Sequence, residues 1–168
     1  MTTPDPLVSA TRAADLVAEL SARGQTVATA ESLTAGLLAA TIAGVPGASA
    51  VLRGGLIVYA TDLKATLAGV DDENLSHDGP VSEPTAAALA EGARSRCGAT
   101  WGLGLTGVAG PDAQDGRPPG TVYLGISGPG GTVVSRPDVR GTRWDIRLGS
   151  VDAAVSGLLA HLHTTSAL

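Results

Sequence analysis

Thr29-Ala30-Glu31-Ser32-Leu33-Thr34-Ala35-Gly36 decides how the rest of the chain is read. A short apolar run, Val27 and Ala28, leads into it, and an apolar stretch of helical character, Leu37 to Ala43, leaves it. A strand handing over to a helix leaves unpaired backbone N–H groups at the helix N-terminus. Such a place binds anions, and a serine there can act as a nucleophile beside a ready oxyanion hole. The plainer reading is that Ser32 or Thr34 caps the helix. These eight residues by themselves favour the cap, so any catalytic reading has to be carried by the rest of the chain.

Working outward, Ser9 to Ala22 has apolar residues at helical spacing with Gly24 just beyond, and residues 1–8, with two prolines, read as a flexible arm. Gln25 to Ala30 is a strand and Thr34 to Ala43 a helix, broken by Gly44, Pro46 and Gly47. Gly55 to Tyr59 is a second strand. Thr61 or Asp62 caps a short helix carrying Lys64 and Leu67, and the acidic stretch from Gly69 to Gly79 reads as a loop or frayed turn. Ser82, Glu83 and Pro84 open an alanine-rich helix that Gly98 ends. Thr100 to Leu105 is a third strand, followed by the turn Thr106 to Pro111 and a polar loop. Gly120 to Ser127 and Thr132 to Arg140 form a hairpin across Gly128-Pro129-Gly130-Gly131. Thr142 and Asp145 make a capping box for the last helix, which ends in a short tail, 164–168. This order predicts an α/β fold: one domain over residues 9–163, a three-layer arrangement of a mixed sheet flanked by helices, with an antiparallel hairpin in the C-terminal half.

Only 2% of the residues are aromatic and none is Phe, so the core has to be small aliphatic side chains packed around many glycines. The formal net charge of −5, without a basic patch, argues against a nucleic-acid binder. Cys97 is the sole cysteine and falls late in a helix as a core residue, so no intrachain disulfide forms, and no Cys/His set has metal-ligand spacing. His77 reads as solvated, and His161 and His163 as residues of a helix end. No signal peptide and no membrane-spanning apolar run are present, so a soluble cytoplasmic protein is expected, without membrane partners.

Lysine use is lopsided: ten arginines stand against one lysine, Lys64. Arginine stays protonated, whereas a lysine can lose its proton when buried. Composition leaves two readings open, a leftover surface cation or a position that needs a removable proton. In open α/β sheets ligands bind beyond the C-terminal ends of the strands. If the first three strands are parallel neighbours, the loops after them converge on one crevice. They would pool Ser32, Thr34, Tyr59, Lys64, Thr106 and the backbone around Gly107 and Val108. The histidines lie elsewhere, so a histidine-based triad is excluded. A serine activated by a buried lysine remains available, with Tyr59 orienting the lysine or relaying the proton. Arg136, Arg140, Arg143 and Arg147 cluster near the last helix; a solvated face is the plainer reading, and an arginine reaching an anionic substrate group the functional one.

The ordered motifs Ala30 to Gly36, Tyr59 with Lys64, Gly69-Val70, Val81 to Pro84, Thr106 to Pro111, Gly120 to Val122 and Arg143 to Arg147 resemble those of the CinA C-terminal domain family, which includes stand-alone nicotinamide-nucleotide amidases of the PncC type. The resemblance covers about residues 9 to 162. It implies hydrolysis of nicotinamide mononucleotide to nicotinate mononucleotide and ammonia, with no cofactor and no metal, and a homodimer. It implies Ser32 as nucleophile, Lys64 as base with Tyr59 beside them, and substrate binding by Thr34, Ser49, Thr106, Gly107, Val108, Ala109 and, at the phosphate, Arg147. Leu33 and Ala35 depart from the family's cysteine and glycine. A glycine at 35 allows a special dihedral or close backbone approach, and a methyl group there is expected to narrow the pocket. The alternative is a nucleotide-binding module of the same fold with weak or no catalysis.

Overall fold

A computed structural model describes residues 3–165. Its centre is a five-stranded sheet, in the order β2-β1-β3-β4-β5. The strands are β1 (Val27–Glu31), β2 (Leu52–Ile57), β3 (Trp101–Gly107), β4 (Val122–Gly128) and β5 (Gly131–Ser135). β1 runs parallel to both β2 and β3, and β4 and β5 continue antiparallel, so the sheet is mixed as expected. The three parallel strands are neighbours, and the loops after them leave the same edge.

Two helical layers cover the sheet. On one face lie α2 (Ala13–Ala22), α3 (Leu37–Ala43) and α7 (Arg143–Thr165), closed over Val27, Leu103, Leu105, Leu124 and Ile126. On the other lie α4 (Thr61–Thr66), α5 (Asp72–His77) and α6 (Glu83–Cys97), against Ala28, Ala30 and Val58. The period-2 alternation of β1 and β3 divides their side chains between the faces. In β3 the bulky residues Trp101, Leu103 and Leu105 point to the first face. Gly102 and Gly104 point to the second, joined by Gly125 of β4. A methyl group on any of the three would overlap the backbone of Ala86 or Ala90 of α6. The alanine-rich helix therefore lies directly on a glycine floor, which is how a core without Phe closes on this face.

Several boundaries differ from the sequence reading. Pro6–Ser9, inside the expected arm, forms a one-turn helix, α1, because the Asp5 carboxylate accepts from the Leu7 N–H at 2.8 Å. Asp72–His77, expected as a loop, is α5; its first turn carries Asp72 and Glu73, which favour the positive helix end. Neither Thr61 nor Asp62 caps α4, whose N-cap is Ala60. β2 begins earlier, at Leu52, and β5 ends at Ser135, well short of Arg140. The last helix continues through Thr165, and 166–168 lie outside the described residues. Two expected caps form. Ser82 accepts from the Thr85 N–H at 3.3 Å. Asp145 accepts from the Thr142 N–H at 2.8 Å, and Thr142 from the Asp145 N–H at 3.3 Å.

Candidate active site

Ser32 directly follows β1, and its N–H still donates to Leu105 O of β3 at 2.9 Å, so the sheet holds its backbone. On the other side, Val58 N donates to Glu31 O at 2.9 Å, which sets the exit of β2 beside the serine. The chain then turns at Tyr59 into α4, and this turn brings Lys64 back over both. Lys64 Nζ lies 3.0 Å from Ser32 Oγ, 2.9 Å from Val58 O and 3.5 Å from Tyr59 O. The lysine is 2% exposed and the serine 8%.

Among the described residues no carboxylate pairs with this buried ammonium. Burial alone lowers the Lys64 pKa to about 8 from an ordinary 10.5. The neutral amine has two N–H bonds, and two carbonyl oxygens are in place to receive them. The lone pair is then left facing Ser32 Oγ. Such a lysine can take the serine proton, which an arginine in its place could not.

The pair opens into a cleft of about 340 Å³. Tyr59 and Thr61 line it from one side, Pro80 and Val81 from another, and Gly107 to Gln114 and Arg143 close the rest. Arg143, the first residue of α7, donates to Gly110 O and, at 3.0 Å, to the Tyr59 hydroxyl. It ties the loop after β2 to the loop after β3 and brings a cation to the cleft wall. Tyr59 thus offers Lys64 its carbonyl rather than its phenol, which is engaged with Arg143.

Ser32, Lys64, Tyr59, Gly107, Val108 and Ala109 therefore meet at one cleft, and the other candidates do not line it. Thr106 is buried, and its hydroxyl donates to Pro80 O at 2.6 Å, fixing the Pro80–Val81 wall. Arg147 donates to Leu33 O at 2.8 Å and to Thr34 O at 3.3 Å, so it clamps the loop after the serine while Arg143 reaches the cleft. Thr34 is fully buried, and its hydroxyl has no hydrogen-bond partner among the described residues. Ser49 is exposed on the 3-10 turn Ala48–Ala50 that precedes β2. That is the opposite end of the sheet from the cleft.

Glu31, in the first motif, has a role that sequence reading missed, and position 35 takes the special dihedral rather than the close approach. Glu31 is 1% exposed, and its carboxylate accepts from Leu38 N at 2.8 Å, Ala39 N at 3.0 Å and the Thr29 hydroxyl at 3.0 Å. The anion at the α3 N-terminus is therefore the protein's own carboxylate, and that helix end is not open to a substrate. The signal was present in the sequence: a lone acid closes an otherwise buried strand, two residues after a threonine on the same face. Ala35 adopts a left-handed backbone, φ +46°, followed by Gly36 at +97°. Its methyl group does not line the cleft, so it does not narrow the pocket. The glycine expected at this position answers a backbone demand.

The fold recurs in solved structures. The competence/damage inducible protein CihA from Agrobacterium tumefaciens superposes with a TM-score of 0.84 at 32% identity, over 97% of this chain and 99% of that one. A CinA superfamily protein from Klebsiella pneumoniae gives 0.89 at 26% identity, over 95% and 99%. Among curated sequences, a CinA-like protein from Frankia casuarinae is 51% identical over 133 residues, 79% of this chain and 31% of that protein. A putative competence-damage inducible protein from Streptococcus pneumoniae is 44% identical over the same share of this chain and 32% of its own length. The chain thus spans about a third of the length of these curated relatives. The CinA C-terminal domain pattern matches residues 9–162, and the chain belongs to that family.

Proposed function

We propose that this chain hydrolyses the carboxamide of nicotinamide mononucleotide, releasing ammonia and nicotinate mononucleotide. The observation that carries the reading is the 3.0 Å contact between Lys64 Nζ and Ser32 Oγ, buried at the floor of an open cleft. Ser32 Oγ attacks the amide carbon while its proton passes to Lys64 Nζ. The C–N bond breaks, and Lys64 returns that proton to the departing nitrogen, leaving an ester on Ser32. Water then attacks the ester carbon, again giving a proton to Lys64, which passes it to Ser32 Oγ as the acid leaves. The N–H groups of Ala109 and Gly110, on the cleft wall, are the donors available to the oxyanion, since Val108 N donates to Thr121 O. Arg143, the cation on that wall, suits the substrate phosphate.

The direct test is ammonia release by the purified chain from nicotinamide mononucleotide and a panel of related amides. Ser32→Ala and Lys64→Arg should each lose at least about a thousandfold in kcat/KM, the scale of losing a nucleophile or its base. Near-normal turnover in Lys64→Arg would remove the base assignment. Saturable nucleotide binding without ammonia would favour the binding-module reading instead.

The proposal extends to a homodimer in the cytoplasm. Ile57, 52% exposed on the edge strand β2, offers apolar surface to a second copy. Sedimentation of the purified chain as a monomer would remove the dimer.

A further inference from the structure

Behind one wall of the cleft, two arginines that the proposed reaction leaves unused meet at one tyrosine. Tyr123 of β4 faces α6 and is 8% exposed. The guanidinium carbon of Arg117 lies 5.9 Å from its ring centroid, and that of Arg136 lies 5.8 Å away. Arg117 Nη1 also donates to the Tyr123 hydroxyl at 3.4 Å. The sheet register accounts for Arg136. β5 pairs Ser135 with Leu124, so Arg136 falls opposite Tyr123. A tight turn accounts for Arg117, where Gln114 and Arg117 exchange backbone hydrogen bonds at 3.0 and 2.9 Å. Gln114 lines the cleft, as do Val81 and Val108, which share a hydrophobic cluster with Tyr123. The cluster and the cleft are therefore two sides of one wall.

Seven of the ten arginines form no ion pair with a carboxylate among the described residues, and two of these seven meet at one ring. The chain has 16 acidic residues, and Arg12, Arg23 and Arg140 each pair with a carboxylate. Among the described residues neither Arg117 nor Arg136 does. Arg117 spends one N–H on the tyrosine oxygen, and Arg136 makes no hydrogen bond there. The phenol accepts from Arg117 and keeps its own proton to donate. Two planar guanidinium forks and a hydroxyl thus gather at one ring with no carboxylate paired to either fork among the described residues, the donor types that a phosphate group takes. Packing of arginine on an aromatic ring accounts for either cation alone. It does not account for two like charges at one ring without a carboxylate.

We propose that Arg117, Arg136 and Tyr123 form an anion subsite beside the cleft, across its wall, that takes a phosphate group, separate from Ser32 and Lys64. The phosphate is either free or borne at the far end of a molecule seated in the cleft. The reading does not depend on amide hydrolysis, so it stands or falls apart from the proposed reaction.

The test is a titration of the intact chain with inorganic phosphate at low ionic strength, followed by NMR of the arginine Nε–H groups. Saturable shifts at Arg117 and Arg136 are expected, with a dissociation constant of about a millimolar. Arg117→Gln and Arg136→Gln should each weaken binding roughly tenfold or more, and Arg12→Gln should leave it unchanged. Arg117→Lys, which keeps the charge, should recover part of the loss; that recovery separates charge recognition from lost packing. Titration with nicotinamide mononucleotide and with a pyridine dinucleotide then identifies the source. Weaker binding of the dinucleotide alone in both glutamine variants marks a phosphate carried by the cleft ligand. Unchanged nucleotide binding beside weakened inorganic phosphate marks a free anion. The proposal is overturned if phosphate shifts only Arg143, if both glutamine variants bind phosphate like the unaltered chain, or if no saturation is reached by about 20 mM, beyond the range of a specific site.

Discussion

Lys64 makes a prediction that needs no substrate. Replacing it by methionine keeps most of the buried chain and removes the ionisable amine. In the folded protein the lysine titrates at about 8, against an ordinary 10.5. The folded pKa is the lower one, so between these values the unfolded chain binds more protons than the folded one. Stability of the unaltered protein therefore rises with pH through that window, and below pH 8 the burial penalty is present in full. Two and a half pK units correspond to about 3 kcal/mol at pH 7, falling below about 1 kcal/mol at pH 10. Lys64→Met has no such penalty at any pH. Its absolute stability also includes the cost of leaving Val58 O and Tyr59 O without their donor, but that cost does not titrate. The stability difference between the two proteins, from urea unfolding at matched pH, should therefore shift by about 2–3 kcal/mol in favour of the lysine from pH 7 to pH 10. A difference that stays flat across that range would show that the lysine is not held with a lowered pKa, and a general base at Ser32 would lose its physical ground.

The same pKa sets the rate profile: kcat/KM for ammonia release should climb about tenfold per pH unit up to about pH 8 and then level off, since only the neutral amine accepts the serine proton. Ala35→Gly should stabilise the protein by up to about 1 kcal/mol, because relief of a left-handed alanine outweighs the extra entropy of glycine in the unfolded chain; thermal unfolding reads this directly. Gly104→Ala should abolish folding or cost more than about 3 kcal/mol, since its Cβ would sit 2.6 Å from both Ala86 O and Ala90 N of the helix laid on it. Ser82→Ala should cost about 1 kcal/mol by uncapping α6, measured by urea unfolding.

What could be read from the sequence, and what could not, divides along a physical line. Ser32 and Lys64 were legible because each rests on a local rule: a serine where a strand stops, and a lysine in a chain that otherwise uses arginine. Their meeting needed one topological condition, three parallel neighbours, which the sheet order meets. The resemblance groups Ser49 with the substrate-binding residues, and within this chain it lies away from the cleft. Two parallel strands joined through a helix must return to the starting edge, so a residue just before β2 lies at the edge away from the cleft. Arg143 and Arg147 stand one helical turn apart on one face, about 6 Å along the axis. Periodicity cannot say which turn overhangs the cleft. That depends on where α7 begins relative to the loops after β2 and β3, and the bonds from Arg143 to Gly110 O and the Tyr59 hydroxyl settle it.

Position 35 sharpens the distinction between chemistry and backbone. Seen in sequence, an alanine in place of glycine beside a candidate nucleophile threatens the pocket. In the fold, residues 35 and 36 are both left-handed because the chain must reverse from the end of β1 into α3 within a few residues. The reversal is held from two sides: Glu31 grips the start of α3, and Arg147 grips Leu33 O and Thr34 O. Opposite charges on separate elements thus hold a strained turn whose first residue is Ser32. Strain of about 1–2 kcal/mol at one alanine is small against three hydrogen bonds to a buried carboxylate and two from a guanidinium. The alanine is therefore tolerated without moving the serine. The place where substitution would displace Ser32 is the pair of grips, Glu31 and Arg147, rather than the methyl group between them.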